Sequence, residues 1–218
     1  LPAMIAPSEM NGKAALVTGA GGGIGAATAI ALAKAGADIC IVDVKAEGLS
    51  ETAKAIEALG RKAQVQEVDL SKIENCKSAV EAAVAAFGRL DGLCNVAGIL
   101  KLAHAHDMAE ADWNAVIAVN LSAPFFLCQA AIPHLLKSNG AIVNVSSLAA
   151  HIGEAYSAAY CASKGGLSQL TKALAMEYMH QSIRINAVSP GGLATPIGAS
   201  FIPPEGAAQS CRPPSSRR

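Results

Sequence analysis

A tyrosine and a lysine four residues apart, Tyr160 and Lys164, are the residues of this sequence best suited to acid–base chemistry. In a helix this spacing places both side chains on one face, so that the ammonium can lie near the phenol. An unperturbed phenol ionises near pH ~10, and a neighbouring cation favours its charged form. Any helix can place a tyrosine beside a lysine, so the pair predicts a general acid or base only if its surroundings support a reaction.

An apolar run, Ala14 to Thr18, leads directly into a glycine-rich turn and then an alanine-rich segment typical of a helix. This order suits phosphate binding, because glycines let the backbone approach a pyrophosphate and the helix N-terminus offers free N–H groups. A flexible glycine turn without a ligand is the alternative, since a glycine fingerprint alone is a weak signal. The candidate cofactor contacts here are Thr18, Gly19, Gly21, Gly22, Gly23, Ile24 and Gly25.

An acidic residue, Asp43, ends the second apolar run, Ile39 to Val42. A carboxylate at this point of a dinucleotide-binding unit accepts hydrogen bonds from the adenosine ribose hydroxyls and repels a 2′-phosphate. The alternative is an ordinary turn residue at the end of a strand. After the glycine turn, Asp43 predicts NAD as the cofactor in preference to NADP, although the basic Lys45 lies close by in the sequence.

Apolar runs alternate with helix-forming segments along the chain. Strands are predicted at 14–18, 39–42, 63–68, 90–96, 141–145 and 183–188, and helices at 26–35, 47–59, 72–87, about 109–136 and 156–180. This alternation indicates an α/β fold of right-handed βαβ units, a Rossmann-type doubly wound parallel sheet between two helical layers. With no repeat or linker, we expect one domain over residues 1–218: an arm (1–11), a core (12–195) and an irregular tail (196–218).

Composition and charge exclude several classes of function. Lys+Arg and Asp+Glu balance at 17 each, so no basic excess favours nucleic acid or an anionic membrane. The six cysteines form no C-x-x-C pair, which favours buried free thiols and a cytoplasmic location. Residues 115–136 are uncharged and long enough to span a bilayer, but Asn120 and Pro133 interrupt them, so we predict a buried helix. His104 and His106 have no Cys or acidic cluster nearby in the sequence, and we predict no metal site.

Distinctive residues follow each predicted strand. Sheets of this type bind ligands outside the carboxyl ends of their strands. After the glycine turn and Asp43, the corresponding positions are Asp69 and Leu70 for the third strand, Asn95, Ala97 and Gly98 for the fourth, Ser147 for the fifth, and Pro190 and Gly191 for the sixth. We therefore expect these residues to line one crevice.

In order and spacing these motifs resemble those of the classical short-chain dehydrogenase/reductase family, from about Asn11 to Thr195. The resemblance implies hydride transfer between NAD(H) and a small-molecule secondary alcohol or ketone, by a homo-oligomer that is a dimer or a tetramer. It also implies that the segment Pro190, Gly191, Leu193 and Thr195 contacts the nicotinamide.

The resemblance further implies a catalytic tetrad of Asn120, Ser147, Tyr160 and Lys164. Tyr160 would exchange a proton with the substrate oxygen, and Ser147 would donate a hydrogen bond to that oxygen. Lys164 would favour the phenolate and hold the nicotinamide ribose. Asn120 would anchor a water relay behind Lys164, although an Asn in a buried helix is otherwise a structural polar contact.

The sequence after Thr195 departs from the family pattern, in which a substrate loop, helices and a seventh strand follow. Pro203-Pro204 and Pro213-Pro214 predict an irregular tail, and the last strand of the family is expected to be missing. The sixth strand would then be an exposed edge. The alternative function is a catalytically silent NAD-binding or scaffold protein that lacks the substrate region.

Overall fold

Six parallel strands form the centre of the computed structural model, which describes residues 10–192 and 202–205. They are β1 (Ala14–Thr18), β2 (Asp38–Asp43), β3 (Ala63–Glu67), β4 (Gly92–Asn95), β5 (Ala141–Val145) and β6 (Arg184–Val188). The strand order is β3-β2-β1-β4-β5-β6, and every neighbouring pair is parallel. The predicted doubly wound parallel sheet is confirmed.

Helices cover both faces of this sheet. They are α1 (Gly23–Lys34), α2 (Ala46–Glu57), α3 (Ile73–Phe87), α4 (Glu110–Ile117), α5 (Ala123–Ser138) and α6 (Ala158–Glu177). Successive strand residues point to opposite faces, so an apolar strand contributes to both layers. In β1, Leu16 packs in the cluster that includes residues of α3 and α5, whereas Val17 packs in the cluster that includes residues of α1 and α2.

The long helix predicted at about 109–136 is divided into α4 and α5 by a π-helical turn, Ala118–Ser122. The whole of Glu110–Ser138 is long and apolar enough to cross a membrane by length and composition alone. However, Leu127 and Leu135 of α5 are fully buried in the cluster that also contains residues of α3. Packing against the interior therefore accounts for the apolar composition of this segment.

The direction in which the chain adds strands to the sheet reverses between β1 and β4. The chain extends from β1 to β2 and β3 on one side, and then crosses back to β4, β5 and β6 on the other. At such a switch point the loops after the two central strands diverge and leave a crevice at the carboxyl edge. The glycine turn after β1 and the loop after β4 flank this crevice.

The predicted buried free thiols are also found. Among the described cysteines, Cys40, Cys76 and Cys128 are buried, and all are unpaired. Burial raises the pKa of the Cys40, Cys76 and Cys94 thiols to about 11, and that of Cys128 to about 12. These thiols are protonated at neutral pH and act as small apolar side chains.

Beyond β6 little of the chain is described. The predicted irregular tail lies mainly outside the described residues, and the described segment 202–205 is neither helix nor strand. Within the described residues, β3 and β6 are the edges of the sheet.

Candidate active site

Thr18 joins the end of β1 to the loop after β4. Its hydroxyl oxygen accepts hydrogen bonds from the backbone N–H of Val96 at 3.0 Å and of Ala97 at 3.1 Å. Gly19 has a φ of +67°, and a Cβ there would lie 2.9 Å from the Cα of Ala97. Only glycine combines this conformation with so close an approach. The structure thus brings the predicted residues Thr18, Gly19 and Ala97 together.

The start of α1 has the features of an anion site. Its first residues are Gly23, Ile24 and Gly25. The preceding residue, Gly22, has no side chain that could cap their N–H groups. The first N–H groups of a helix have no acceptor within the helix and carry the positive end of its dipole. A Cβ on Gly22 would meet no atom within 4 Å, whereas one on Gly25 would overlap the carbonyl oxygen of Gly19. The turn is closed on the protein side and open on the other, which fits a pyrophosphate.

Asp43 holds the glycine turn from the end of β2. Its Oδ2 accepts a hydrogen bond from Gly21 N at 2.9 Å, and its Oδ1 accepts from Val44 N at 2.7 Å and Lys45 N at 3.1 Å. The carboxylate is therefore fixed beside the turn. Because the N–H of Gly21 is bonded to Asp43, it is not available to donate a hydrogen bond to a phosphate. Gly21 instead leaves room in the turn because it has no side chain.

Asp69 and Leu70 follow β3, as predicted, but face different surroundings. The Asp69 carboxylate accepts a hydrogen bond from Ser71 N at 2.9 Å, and its hydrogen bonds with Ser71 are the main reason that the pKa of Asp69 is lowered. The Leu70 side chain is buried in the core. A cofactor contact of Leu70 would therefore have to use its backbone.

Asn95 lies at the end of β4 and begins a buried polar chain. Its Nδ2 donates to Asn144 Oδ1 at 2.8 Å, and Asn144 Nδ2 donates to the Thr171 hydroxyl on α6 at 2.9 Å. The Thr171 hydroxyl donates to the Leu167 carbonyl at 2.7 Å. Such directional contacts fix the position of α6 on the sheet more strictly than apolar packing does.

Ser147 and Tyr160 meet above β5. Ser147 follows the strand, and its hydroxyl oxygen accepts a hydrogen bond from Ala149 N at 3.2 Å. Tyr160 lies in the first turn of α6. Burial raises the pKa of the Tyr160 phenol, while a hydrogen bond with the Ser147 side chain opposes that rise. The two hydroxyl groups therefore lie near each other.

Lys164 is almost completely buried, with 3% of its surface exposed. Its Nζ donates to the Val145 carbonyl at 2.7 Å and lies 5.8 Å from the centre of the Tyr160 ring. Burial lowers the pKa of Lys164 to about 8. The pKa of the phenol is nevertheless raised, because burial of Tyr160 has the largest effect on it, and the role of Lys164 in favouring the phenolate stays a prediction.

Asn120 lies fully buried in the π-helical turn. Its Oδ1 accepts from Ile99 N at 2.8 Å, and its Nδ2 donates to Ile99 O at 2.9 Å and to Ser163 Oγ at 3.1 Å. Ser163 in turn donates to the Tyr160 carbonyl at 2.8 Å. Both amide hydrogens of Asn120 thus have protein acceptors, so the side chain holds the loop after β4 against α6. The water relay expected at Asn120 stays a prediction.

The last predicted contacts are described in part. Pro190 follows β6, and its carbonyl accepts a hydrogen bond from Leu148 N at 2.9 Å, which places it beside the Ser147 loop. Gly191 is also described, but Leu193 and Thr195 lie outside the described residues.

The segment after β4 also contacts the loop that precedes α6. Ala103 N donates to the Tyr156 carbonyl at 2.9 Å, and the His104 ring lies edge-on to the Tyr156 ring with 5.0 Å between centroids. His106 stacks on His104. In the described part of the chain, no group of three His, Cys, Asp or Glu residues is arranged to hold a metal ion.

Ser146 also holds α6 beside the site, although the sequence pattern did not single it out. Its hydroxyl donates to the Lys164 carbonyl at 3.0 Å and contacts Ser168 Oγ at 2.7 Å. A hydroxyl has one hydrogen, so Ser168 must be the donor in the second contact. The position of Ser146 next to Ser147 was the only signal available from the sequence.

Comparisons with known proteins agree with this geometry. The profile of the short chain dehydrogenase family matches residues 13–205. The chain is 41% identical to the cyclohexanol dehydrogenase of Acinetobacter sp. (strain SE19), over 90% of this chain and 79% of that protein.

Two solved structures are also similar. A putative short-chain alcohol dehydrogenase from Sinorhizobium meliloti 1021 has a TM-score of 0.85 and 41% identity, over 90% of this chain and 78% of that one. Carveol dehydrogenase from Mycobacterium avium in complex with NAD has a TM-score of 0.80 and 32% identity, over 84% and 72% respectively.

Proposed function

This chain belongs to the short-chain dehydrogenase family, and on that premise we propose that it transfers a hydride between NAD(H) and a secondary alcohol or its ketone. The observation that carries this proposal is the position of Tyr160 beside Ser147 at the carboxyl end of β5, with the Lys164 ammonium 5.8 Å from the centre of its ring. A phenol and a hydroxyl group beside a buried ammonium, at the sheet edge where this fold binds its ligands, support a role in proton transfer.

The crevice fits a dinucleotide. The N–H groups at the start of α1 would bind the pyrophosphate, and the Asp43 carboxylate would accept hydrogen bonds from the adenosine ribose. The same carboxylate would repel a 2′-phosphate, which favours NAD over NADP. The complex of the similar carveol dehydrogenase with NAD supports this choice. When bound, NAD supplies the acceptor for the hydride that leaves the alcohol carbon.

Side chains of the protein would transfer the proton and stabilise the substrate oxygen. In oxidation, the Tyr160 phenolate takes the hydroxyl proton of the substrate, and in reduction the phenol returns a proton to the oxygen of the product. The raised pKa of Tyr160 keeps the phenol protonated at neutral pH, which suits the reductive direction. Ser147 donates a hydrogen bond to the substrate oxygen as its negative charge develops.

Lys164 and Asn120 would act through position and charge. An ammonium next to the site favours the phenolate, and the long Lys164 side chain can exchange the Val145 carbonyl for another acceptor. Asn120 holds the Ile99 peptide and, through Ser163, the first turn of α6. Asn120 therefore influences where Tyr160 lies, and Lys164 influences its state of ionisation.

The substrate class is proposed from a relative. Cyclohexanol, after which the 41% identical dehydrogenase of Acinetobacter is named, is a secondary alcohol on a six-membered ring. It is the first probe to use. A panel with a steroid alcohol and an open-chain polyol would then define the preference for size and shape.

The test is the formation of NADH from NAD with each alcohol of the panel, followed by absorbance. We expect turnover of at least one secondary alcohol by the wild type and its loss in Tyr160→Phe. The alternative is a catalytically silent NAD-binding or scaffold protein. Folded protein that binds NADH but turns over no alcohol or ketone of the panel would support that alternative and reject the proposed activity.

A further inference from the structure

The glycine turn is held from the outside by α2 as well as by Asp43. The Thr52 hydroxyl of α2 donates to the Ala20 carbonyl at 2.8 Å, and it lies 3.1 Å from the Gly48 carbonyl of its own helix. One hydroxyl hydrogen serves both acceptors, and the shorter contact is the one that joins α2 to the turn. Thr52 is 4% exposed, so water does not compete for this bond.

Gly48 allows α2 to approach the turn this closely. A Cβ on Gly48 would overlap the carbonyl oxygen of Gly21. Gly48 is the third residue of α2, and glycine favours a helix less than alanine does, so the close contact with the turn accounts for glycine at this position.

These contacts restrict the backbone of Ala20 and Gly21. Ala20 N donates to Val42 O at 3.1 Å and Ala20 O accepts from Thr52, while Gly21 N donates to Asp43. The backbone immediately before Gly22 is therefore fixed by β2 and α2. The N–H groups at the start of α1 are the part of the turn that remains available to a ligand.

We propose that Thr52 and Gly48 are positioning residues of the dinucleotide site, which hold the glycine turn in its phosphate-binding shape before the cofactor arrives. This inference rests on the proposed NAD site. A preorganised turn binds more tightly because it loses less conformational freedom on binding. Neither residue touches the open side of the turn, so both act through the backbone of Ala20 and Gly21.

The first test compares three variants by titration with NADH, followed by its fluorescence. Thr52→Val keeps the shape but removes the hydroxyl, and we expect the Kd for NADH to rise roughly five- to tenfold, as the loss of about one hydrogen bond predicts. Thr52→Ser retains the hydroxyl and should stay within about twofold of wild type.

Ser138→Ala is the matched control, because the Ser138 hydroxyl also donates to a carbonyl outside its helix, Leu90 O at 2.6 Å, and also lies near a carbonyl of its own helix, Leu135 O at 3.2 Å. It should lower the Tm but leave the Kd for NADH within about twofold. If Thr52→Val and Ser138→Ala lower the Tm alike and neither changes the Kd, Thr52 is merely structural and the proposal is rejected.

Gly48→Ala gives an independent test. Although alanine has the higher helix propensity, a methyl group at residue 48 would overlap the Gly21 carbonyl oxygen, so the turn or α2 must shift and stability should fall. We expect weaker NADH binding as well, because the new methyl group displaces the Gly21 carbonyl. Unchanged binding in Gly48→Ala would contradict the positioning role.

A measurement without cofactor separates this inference from the proposed function. In the ligand-free protein, Thr52→Val should speed amide hydrogen exchange in the peptide that covers residues 18–26, and Ser138→Ala should not. If wild type fails to bind NADH, the NAD site is wrong, but the exchange result still decides whether Thr52 holds the turn. Equal exchange in wild type and Thr52→Val would overturn the inference.

Discussion

The Lys164 ammonium donates a hydrogen bond to the carbonyl oxygen of Val145 at 2.7 Å. The Tyr160 ring lies one helical turn away, with its centre 5.8 Å from the same nitrogen. The carbonyl is the last of β5, so the lysine joins α6 to the strand that leads to Ser147. A buried ammonium requires acceptors, and the strand end supplies one. The proposed catalytic cation is therefore held at the base of the site.

Removal of the Tyr160 hydroxyl should abolish proton transfer without disturbing the cofactor site. For Tyr160→Phe we expect kcat to fall by about 10²- to 10⁴-fold, the usual contribution of a general acid or base. The Kd for NADH should stay close to that of wild type. Tyr178→Phe, near the other end of α6, is the control and should retain full activity. An active Tyr160→Phe enzyme would remove Tyr160 from the mechanism.

The buried Lys164 predicts a pH-dependent stability. Its pKa is lowered from 10.5 to about 8 in the folded protein, so between these pH values the unfolded chain binds more protons than the folded one. Stability should therefore rise with pH in this window, by up to about 1.4 kcal/mol per pH unit. Below pH 8 the full penalty of burying the charge applies, and above 10.5 it is absent.

Urea unfolding of wild type and Lys164→Met from pH 7 to pH 11 would measure this effect. The difference in the free energy of unfolding should change by on the order of 3 kcal/mol across the window, since the variant lacks the titrating group. Lys172→Met removes an exposed lysine from the same helix and should follow the wild-type curve. Parallel curves for wild type and Lys164→Met would show that the ammonium is not desolvated.

Asp43 should control the choice between the two dinucleotides. Asp43→Asn keeps the size of the side chain but removes the negative charge and places an amide among three N–H donors. We expect the ratio of the Kd values for NADPH and NADH to fall about tenfold or more, because repulsion of the 2′-phosphate disappears while ribose contacts weaken.

Glu67→Gln is the control for Asp43→Asn, because Glu67 is the register partner of Asp43 on β3 and is exposed. Its neutralisation should leave the ratio of the two Kd values unchanged. Fluorescence titration with both reduced cofactors provides the measurement. Tighter binding of NADPH than of NADH by the wild type would reject the assignment of Asp43.

Asn120 should contribute mainly to stability and to the position of α6. Asn120→Ala leaves both backbone groups of Ile99 and the Ser163 hydroxyl without this partner in a buried place. The two backbone groups lose a partner at about 1–3 kcal/mol each, whereas Ser163 keeps its bond to the Tyr160 carbonyl, so we expect the free energy of unfolding to fall by about 2–6 kcal/mol. Asn114→Ala on exposed α4 surface is the control, with a change within about 0.5 kcal/mol. A fall no larger than that of the control would show that the amide contacts do not form.

The ordered motifs predicted the fold because they reflect local rules. Apolar strands buried on both faces and alanine-rich helices specify a parallel sheet, and the predicted strands agree with the structure to within two residues at each end. The bounds of the helices agree less closely. In particular, the π-helical turn that contains Asn120 has no signature in hydrophobic spacing, because it depends on packing against the loop after β4.

The sequence by itself determined which chemical groups stand at the strand ends: the glycine turn, Asp43, Ser147 and the pair Tyr160 and Lys164. Only the tertiary structure decided how they are used. Burial, a property of the whole fold, raises the pKa of Tyr160 and lowers that of Lys164, and it directs the lysine to the Val145 carbonyl. The contact of Thr52 with Ala20 likewise joins residues 32 positions apart, a distance over which sequence spacing carries no information.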